Sequence, residues 1–300
     1  MVNHAKFMQT KIGKMKIISW FSGGVTSAVT CKLCVEIYGI ESCRFVFMDT
    51  KNEHESTEKF IDDCSEWLGK PIERITALGD KYKTIQDVWI KNKSLNIAKG
   101  AICSATLKTK LRLKWQRRNE YDHQAFGFDI SEINRAKSMV KSHEEAKPIF
   151  PLLMFGMSKK DCLKYLSDAG VQVPEPYANG FGNNNCFKTG CIQGGIGYWQ
   201  KMKREHPDKF EKMAEMEHRL TDIKGEPVTM LKDQSNEAKL KKCNLVFLKK
   251  HPDYPSVLTI DDKKGREPKP LMDCMGFCGI NDLDKPKTAE ELNFQGNLFK

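Results

Sequence analysis

IISWFSGGVTSAVTCKLCVEIYG, from Ile17 to Gly39, is the stretch that decides the fold. Its apolar start, with Lys16 in front, reads as a short buried strand over Lys16–Phe21. After two glycines, Ala28, Val29, Leu33 and Ile37 recur at mostly 3–4 spacing, the period of a helix with one inward face. Gly39 is a plausible helix stop. Between strand and helix sits Ser22-Gly23-Gly24-Val25-Thr26-Ser27. Glycines permit positive φ and let backbone approach a ligand closely. The following helix start offers unpaired N–H groups and the positive end of the helix dipole. With the hydroxyls of Ser22, Thr26 and Ser27, the turn is shaped for a phosphate or pyrophosphate. A plain tight turn closing a strand–helix unit is the competing reading. The pattern is neither G-x-x-x-x-G-K-[ST] nor G-x-G-x-x-G.

Outward from this unit, strand and helix patterns alternate. Cys43–Thr50 reads as a strand ending at Asp49, and Ser56 can cap a helix running to Gly69. Ile72–Leu78 reads as a strand, Ile85–Lys91 and Leu107–Arg118 as helices, and His123–Asp129 as a fourth strand. The segment AKPIFPLL supplies a fifth strand or an edge piece. Such alternation predicts an α/β fold, a Rossmann-like parallel sheet with helices on both faces. Ligands of such sheets bind outside the carboxyl ends of the strands. The glycine turn and Asp49 both fall at those ends. After Pro151 the character changes to a capped helix over Ser158–Gly170, a Pro/Gly/Asn loop, a charged helical pair broken near Pro207, and a polar tail. The expected division is a nucleotide-binding α/β domain over 1–155 and a smaller helical, cysteine-rich metal-binding region over 156–300.

Bulk properties bound the function. The chain has 300 residues, of which 40% are hydrophobic and 29% charged, an ordinary soluble composition. A net charge of +10 favours anionic partners: nucleotides, sulfate esters or nucleic acid. A solvated spread of lysines explains the same number. No apolar window is long enough for a membrane span. Eleven cysteines without a signal-peptide pattern point to the reducing cytoplasm, where thiols serve metal sites, chemistry or the core.

SGGVTS resembles the PP-loop of adenine-nucleotide α-hydrolases, usually SGG-x-D-S. Val25 and Thr26 stand where a Lys-Asp pair is common, so a charged phosphate contact and a carboxylate are missing. FMDTKNEHESTEKFI, ICSATLKTKLRLKW, GFDISEINRAK and PLLMFGMSKKDCLKYLSDAGVQVPEPY resemble, in order and spacing, the branch that contains phosphoadenylyl-sulfate (PAPS) reductases. The resemblance covers about Lys16 to Cys191 and implies a HUP-type Rossmann-like domain. It also implies an adenine nucleotide (ATP or PAPS), with magnesium accompanying ATP. Nucleotide-binding positions carried over are Ser22, Gly23, Gly24, Val25, Thr26, Ser27, Asp49, Gly127 and Glu132. Cys103, Lys108 and Arg135 are carried over as catalytic candidates. Phe128 stands near where an arginine is often found. Many members carry a Cys-Cys pair that ligates an iron–sulfur cluster, where this chain has Cys103-Ser104.

Each candidate has a plainer alternative. Asp49 can bind ribose, magnesium or adenine, or simply cap the next segment. Cys103 can be a reactive thiol or a half-buried core cysteine. Lys108 and Arg112 share one helix face, Lys110 and Lys114 another; such stripes suit a second anion, a nucleic-acid backbone or solvent. Arg135 can grip a phosphate through paired hydrogen bonds, or form a structural pair with Glu132. Cys31 and Cys34 form a C-x-x-C on an amphipathic helix and read as core.

Four later cysteines form two loop pairs, Cys186/Cys191 and Cys274/Cys278, each with glycine in the loop. Two such pairs suit a closed four-thiolate site, with zinc as first expectation and an iron–sulfur cluster next. Related PAPS reductases end in a Glu-Cys-Gly-x-His segment. Phe277-Cys278-Gly279-Ile280-Asn281 departs from it at both flanks, which weakens a nucleophilic Cys278. The expected activity is ATP α-phosphate hydrolysis or adenylation of an acceptor, a nucleic acid or a small anion, with sulfur transfer as one outcome. PAPS reduction with a thioredoxin-type reductant is the alternative enzyme. A non-catalytic nucleotide- or nucleic-acid-binding module is the third reading.

Overall fold

A computed structural model describes residues 15–97, 100–236, 238, 244–269 and 271. Its centre is a five-stranded, wholly parallel sheet in the order β3-β2-β1-β6-β7. The strands are β1 (Ile17–Phe21), β2 (Cys43–Met48), β3 (Ile72–Ile75), β6 (His123–Ala125) and β7 (Pro148–Ile149). Ile17 faces Cys43 on one side and His123 on the other. The chain builds outward from β1 through β2 to β3, then returns to lay β6 on the opposite flank of β1. The order therefore reverses beside β1, and the crevice at its carboxyl end is where ligands of open α/β sheets bind.

Alternation of side chains along the strands feeds two cores. Ile17, Phe21, Phe45 and Phe47 pack under α1 (Val25–Tyr38), α2 (Ser56–Leu68) and α7 (Lys159–Asp168). Ile18, Trp20, Val46 and Met48 pack on the other face against α4 (Lys110–Gln116) and α5 (Ile133–Ser142). Helices thus cover both faces, and the fold is Rossmann-like α/β as the alternation predicts. Cys31 and Cys34 are core residues, and burial pushes the Cys31 thiol up to about 12.

A third core lies beyond the sheet. It joins α3 (Ile85–Asn92), Ala101 of the short paired strands β4 (Asn96–Ile97) and β5 (Gly100–Ala101), Cys103 and Leu107 to the half of the chain from Phe181 onward. That half includes α9 (Ile196–Glu205), α10 (Pro207–Lys224) and a three-stranded sheet of β8 (Leu231–Lys232), β9 (Leu245–Phe247) and β10 (Leu258–Thr259). The packing crosses residue 155 in both directions: α7 joins the sheet core through Cys162 and Leu166, and residues 85–107 contribute to the third core.

Local differences have local causes. Ser56 does not cap α2: its hydroxyl meets His54 Nδ1 and accepts the Glu175 N–H. Ser158 does cap α7, in a reciprocal box with Asp161. After α6 (Pro151–Met154), the breaker-rich loop still holds one helical turn, α8 (Glu175–Ala178), which Pro176 suits by occupying an early helix position. The helix expected from Leu107 begins instead as a π-helix over Ser104–Thr109. The strands β8–β10 are two or three residues long, too short to show a period in sequence.

Candidate functional site

Ser22–Ser27 closes β1 onto α1, as the sequence implies. Gly23 has φ +85, and a Cβ there would stand 3.0 Å from Thr57 Cγ2, so both backbone freedom and space require glycine. The Ser27 hydroxyl works inside the turn: it accepts from the Ser22 N–H at 2.9 Å and donates to the Gly24 carbonyl at 2.8 Å. It therefore shapes the turn rather than facing outward. Thr26 is buried, and Ser22 is the turn hydroxyl nearest solvent. Val25 donates its N–H to the Tyr177 hydroxyl at 3.2 Å, and the Gly23 carbonyl accepts from Asn184 Nδ2 at 2.9 Å. The turn is thus covered by residues 177–184, so its outward donor already holds an oxygen.

Gly127 follows β6, and a Cβ there would sit 2.9 Å from backbone atoms of Thr26 and Ser27. It is the glycine that lets the end of β6 lie against the turn. Glu132 and Arg135 pair at 2.6 Å; Arg135 is 1% exposed and stacks over Phe128 at 4.3 Å. Asp49, at the end of β2, accepts the Lys51 N–H at 2.7 Å and pairs with Lys51 Nζ at 2.6 Å.

From Thr50 onward the end of β2 meets the cysteine loop. Lys188 donates its N–H to the Asn52 carbonyl, and Asn52 Nδ2 donates to Thr189 Oγ1 at 2.8 Å. Glu53 accepts from Thr50 Oγ1 and from the Asn52 N–H, and lies 3.9 Å from the buried Lys108 ammonium. Lys108 and Arg112 form the inner stripe, while Lys110 and Lys114 face solvent. Burial lowers Arg112 to about 10.

The structure brings Cys103 beside the loop pair Cys186/Cys191. Cys103, Cys186 and Cys191 line one small enclosed cavity with Ile85, Trp89, Ala101 and Ile192. Burial pushes the Cys186 thiol well up, Cys191 and Glu53 add to the rise, and Lys108 opposes it. Cys186 is held at φ +24, a conformation non-glycine residues rarely adopt. Gly190 has φ +85, and a Cβ there would stand 2.6 Å from the Trp199 ring, so the loop between the paired cysteines needs glycine. The π-helix starts directly after Cys103, and such turns gather at functional sites. Only the resemblance had marked Cys103. The signals for Glu53, Tyr177 and Asn184 were weak: a carboxylate four residues past a strand end, and polar residues in a breaker-rich loop.

Cys274 and Cys278 lie outside the described residues. Leu271 lines a second hollow with Ile192 and Gln193, both of which also line the cysteine cavity. Among the described residues, only Asp222, His251 and Asp253 bring three metal-ligating atoms within 4.8 Å of one another. That group explains itself: His251 Nδ1 accepts the Asp253 N–H, and Nε2 faces Asp222 Oδ1 at 3.2 Å.

The family described as phosphoadenosine phosphosulfate reductase domain matches residues 16–193. The chain belongs to that family. The matched stretch contains the glycine turn, Asp49, Lys108, Cys103, Cys186 and Cys191 and stops short of Cys274. Among solved structures, the U34-tRNA thiolase NcsA from Methanococcus maripaludis with its [4Fe-4S] cluster is similar at 15% identity. The match covers 72% of this chain and 78% of that one, with a TM-score of 0.34. No curated protein matches. No helix among the described residues of this family member is long and apolar enough to cross a membrane.

Proposed function

We propose that this PAPS reductase-domain protein is an enzyme that acts on ATP at the α-phosphate and couples that chemistry to a thiolate-held iron–sulfur centre. The observation that carries the reading is the cysteine loop itself. Asn184 ties it to the Gly23 carbonyl and the Lys188 N–H ties it to Asn52, so one loop bridges the carboxyl ends of β1 and β2. A nucleotide at the turn and a centre at the cysteines would be neighbours.

In this reading a phosphate oxygen replaces the Tyr177 hydroxyl on the Val25 N–H. An acceptor oxygen attacks the α-phosphorus, the bond to the β-phosphate breaks, and pyrophosphate leaves with its charge on backbone N–H groups. A sulfur or amine nucleophile then displaces AMP, which carries away the acceptor oxygen. Lys108 supplies buried positive charge between the two halves. Magnesium would enter with ATP, and Asp49 is the carboxylate offered at the end of β2.

In this reading Cys103, Cys186 and Cys191, which line one cavity, hold an iron–sulfur cluster through their thiolates. The Trp89 indole N–H, buried on the same cavity wall, has no acceptor among the described residues and suits an anionic sulfur. The fourth thiolate of this reading is Cys274. When bound, an iron–sulfur cluster supplies electrons or an open iron for a sulfur ligand.

The test is incubation of anaerobically prepared protein with labelled ATP and, separately, with PAPS. AMP and pyrophosphate from ATP support the proposal. Sulfite from PAPS without pyrophosphate supports the reductase reading. ATP binding without turnover, unchanged by Cys103→Ser, leaves a nucleotide-binding module.

A further inference from the structure

We infer that the hollow beside the cysteine loop, ringed by Lys51, Lys83, Lys188 and Lys212, binds the phosphates of a nucleic-acid acceptor. The hollow encloses about 510 Å³, within the roughly 300–1,000 Å³ range of ligand sites. Its four cations come from four separate stretches: the turn after β2, the approach to α3, the loop between Cys186 and Cys191, and α10. Glu215 is the one acidic residue on its wall.

Two features set this ring apart from scattered surface lysines. Lys51, at φ +58, holds its side chain by the pairing of its N–H and ammonium with Asp49 at the end of β2. The Lys188 ammonium lies 3.3 Å from the Lys51 carbonyl, so these two basic residues lie side by side. Asp49 already offsets Lys51; the like charges of Lys83, Lys188 and Lys212 around the hollow repel, and an anion there relieves the repulsion. No arginine lines the hollow, so paired gripping of a carboxylate has no donor, while ammonium groups suit phosphate oxygens as point charges. Cations from four stretches match several separated phosphates better than a single one.

The place of the hollow gives this a consequence. Thr50 and Asn52 put it at the carboxyl end of β2, and Ile85 forms part of both its wall and that of the cysteine cavity. A strand lying along the lysines would hold its bases within reach of the proposed centre. The inference deepens the proposed function by naming the acceptor class, but the binding itself does not require turnover.

The experiment is anisotropy of a fluorescein-labelled single-stranded RNA with the full chain, over a series of salt concentrations. Each lost phosphate contact lowers the slope of log affinity against log salt by about 0.7 for single strands. The variant K83Q/K188Q/K212Q should therefore lower it by about 2. Lys51 is kept because it ties down Asp49. The control K59Q/K160Q/K224Q changes the same charge at exposed sites elsewhere and should leave the slope near that of the parent. Matching circular dichroism melts establish that both variants fold. ATP affinity is measured on the same proteins. Loss of ATP binding with RNA binding intact would assign the phosphates to a free nucleotide and overturn the nucleic-acid assignment. RNA binding unchanged from the control overturns the inference altogether. Neither result depends on whether AMP or sulfite is ever released.

Discussion

The glycine turn and the cysteine loop reach the same edge of the sheet by opposite routes. The turn is six consecutive residues whose form follows from the strand before and the helix after. The cysteine site is assembled from a π-helix start and a loop distant in sequence, held by Asn184, Lys188 and Thr189 against the ends of two strands. The first is a local device that folding of the sheet creates. The second exists only once the later core has closed. Perturbing the later core should therefore disable the thiols while leaving the turn in place, and perturbing the β1–β6 seam should do the reverse.

The largest expected effect separates the two cores by pH. Glu217 on α10 is buried, accepts the Met230 and Leu248 N–H groups at 2.7 Å each, and is pushed up to about 8 by burial. The folded state therefore holds a proton that the unfolded state releases near the ordinary carboxyl value. This stabilisation is full below about pH 4.5 and is lost as pH rises through about 8, at no more than about 1.4 kcal/mol per pH unit. Hydrogen-exchange protection, corrected for the intrinsic rise of exchange with pH, should fall from pH 5 to 8 in α10 and β9 while α1 and β1 keep theirs. An equal fall in protection throughout would show that the cores do not separate.

Gly190→Ala comes next. Positive φ and the Trp199 ring both oppose a methyl group, and the expected loss is about 2–4 kcal/mol. A lower melting temperature with reduced metal uptake, but retained ATP binding, would match the separation. Gly127→Ala meets backbone at 2.9 Å and should lower stability by about 1–3 kcal/mol. Here ATP affinity should fall while metal uptake is kept. The smallest effect belongs to Tyr177→Phe, which removes one hydrogen bond worth about 1 kcal/mol. Titration calorimetry should show tighter ATP binding, because the Val25 N–H is released; weaker binding would mean that the hydroxyl itself contacts the nucleotide.

The same contrast explains what was legible in the sequence. β1, the turn, Asp49 at a strand end and the Ser158-capped α7 all announce themselves through neighbours in sequence. Order and spacing of motifs added the family. Ser56 misled because His54 and Glu175, rather than the helix, engage its hydroxyl. The strands β8–β10 lack the length to show alternation. That Cys103 faces Cys186 and Cys191 could not be read from spacing, since it depends on α3 packing into the later core. Arg135 and Glu132 are where the family pattern puts them, and their pairing, with Arg135 over Phe128, follows from their i,i+3 spacing on one helix start.

The most direct test of the account is iron and acid-labile sulfide content after anaerobic reconstitution of the parent and of single cysteine-to-serine variants. The account predicts that the parent retains both, and that Cys103→Ser, Cys186→Ser and Cys191→Ser each lose most of them. Full retention by Cys103→Ser, with loss in Cys274→Ser and Cys278→Ser, would contradict it and place the centre between the loop and the tail.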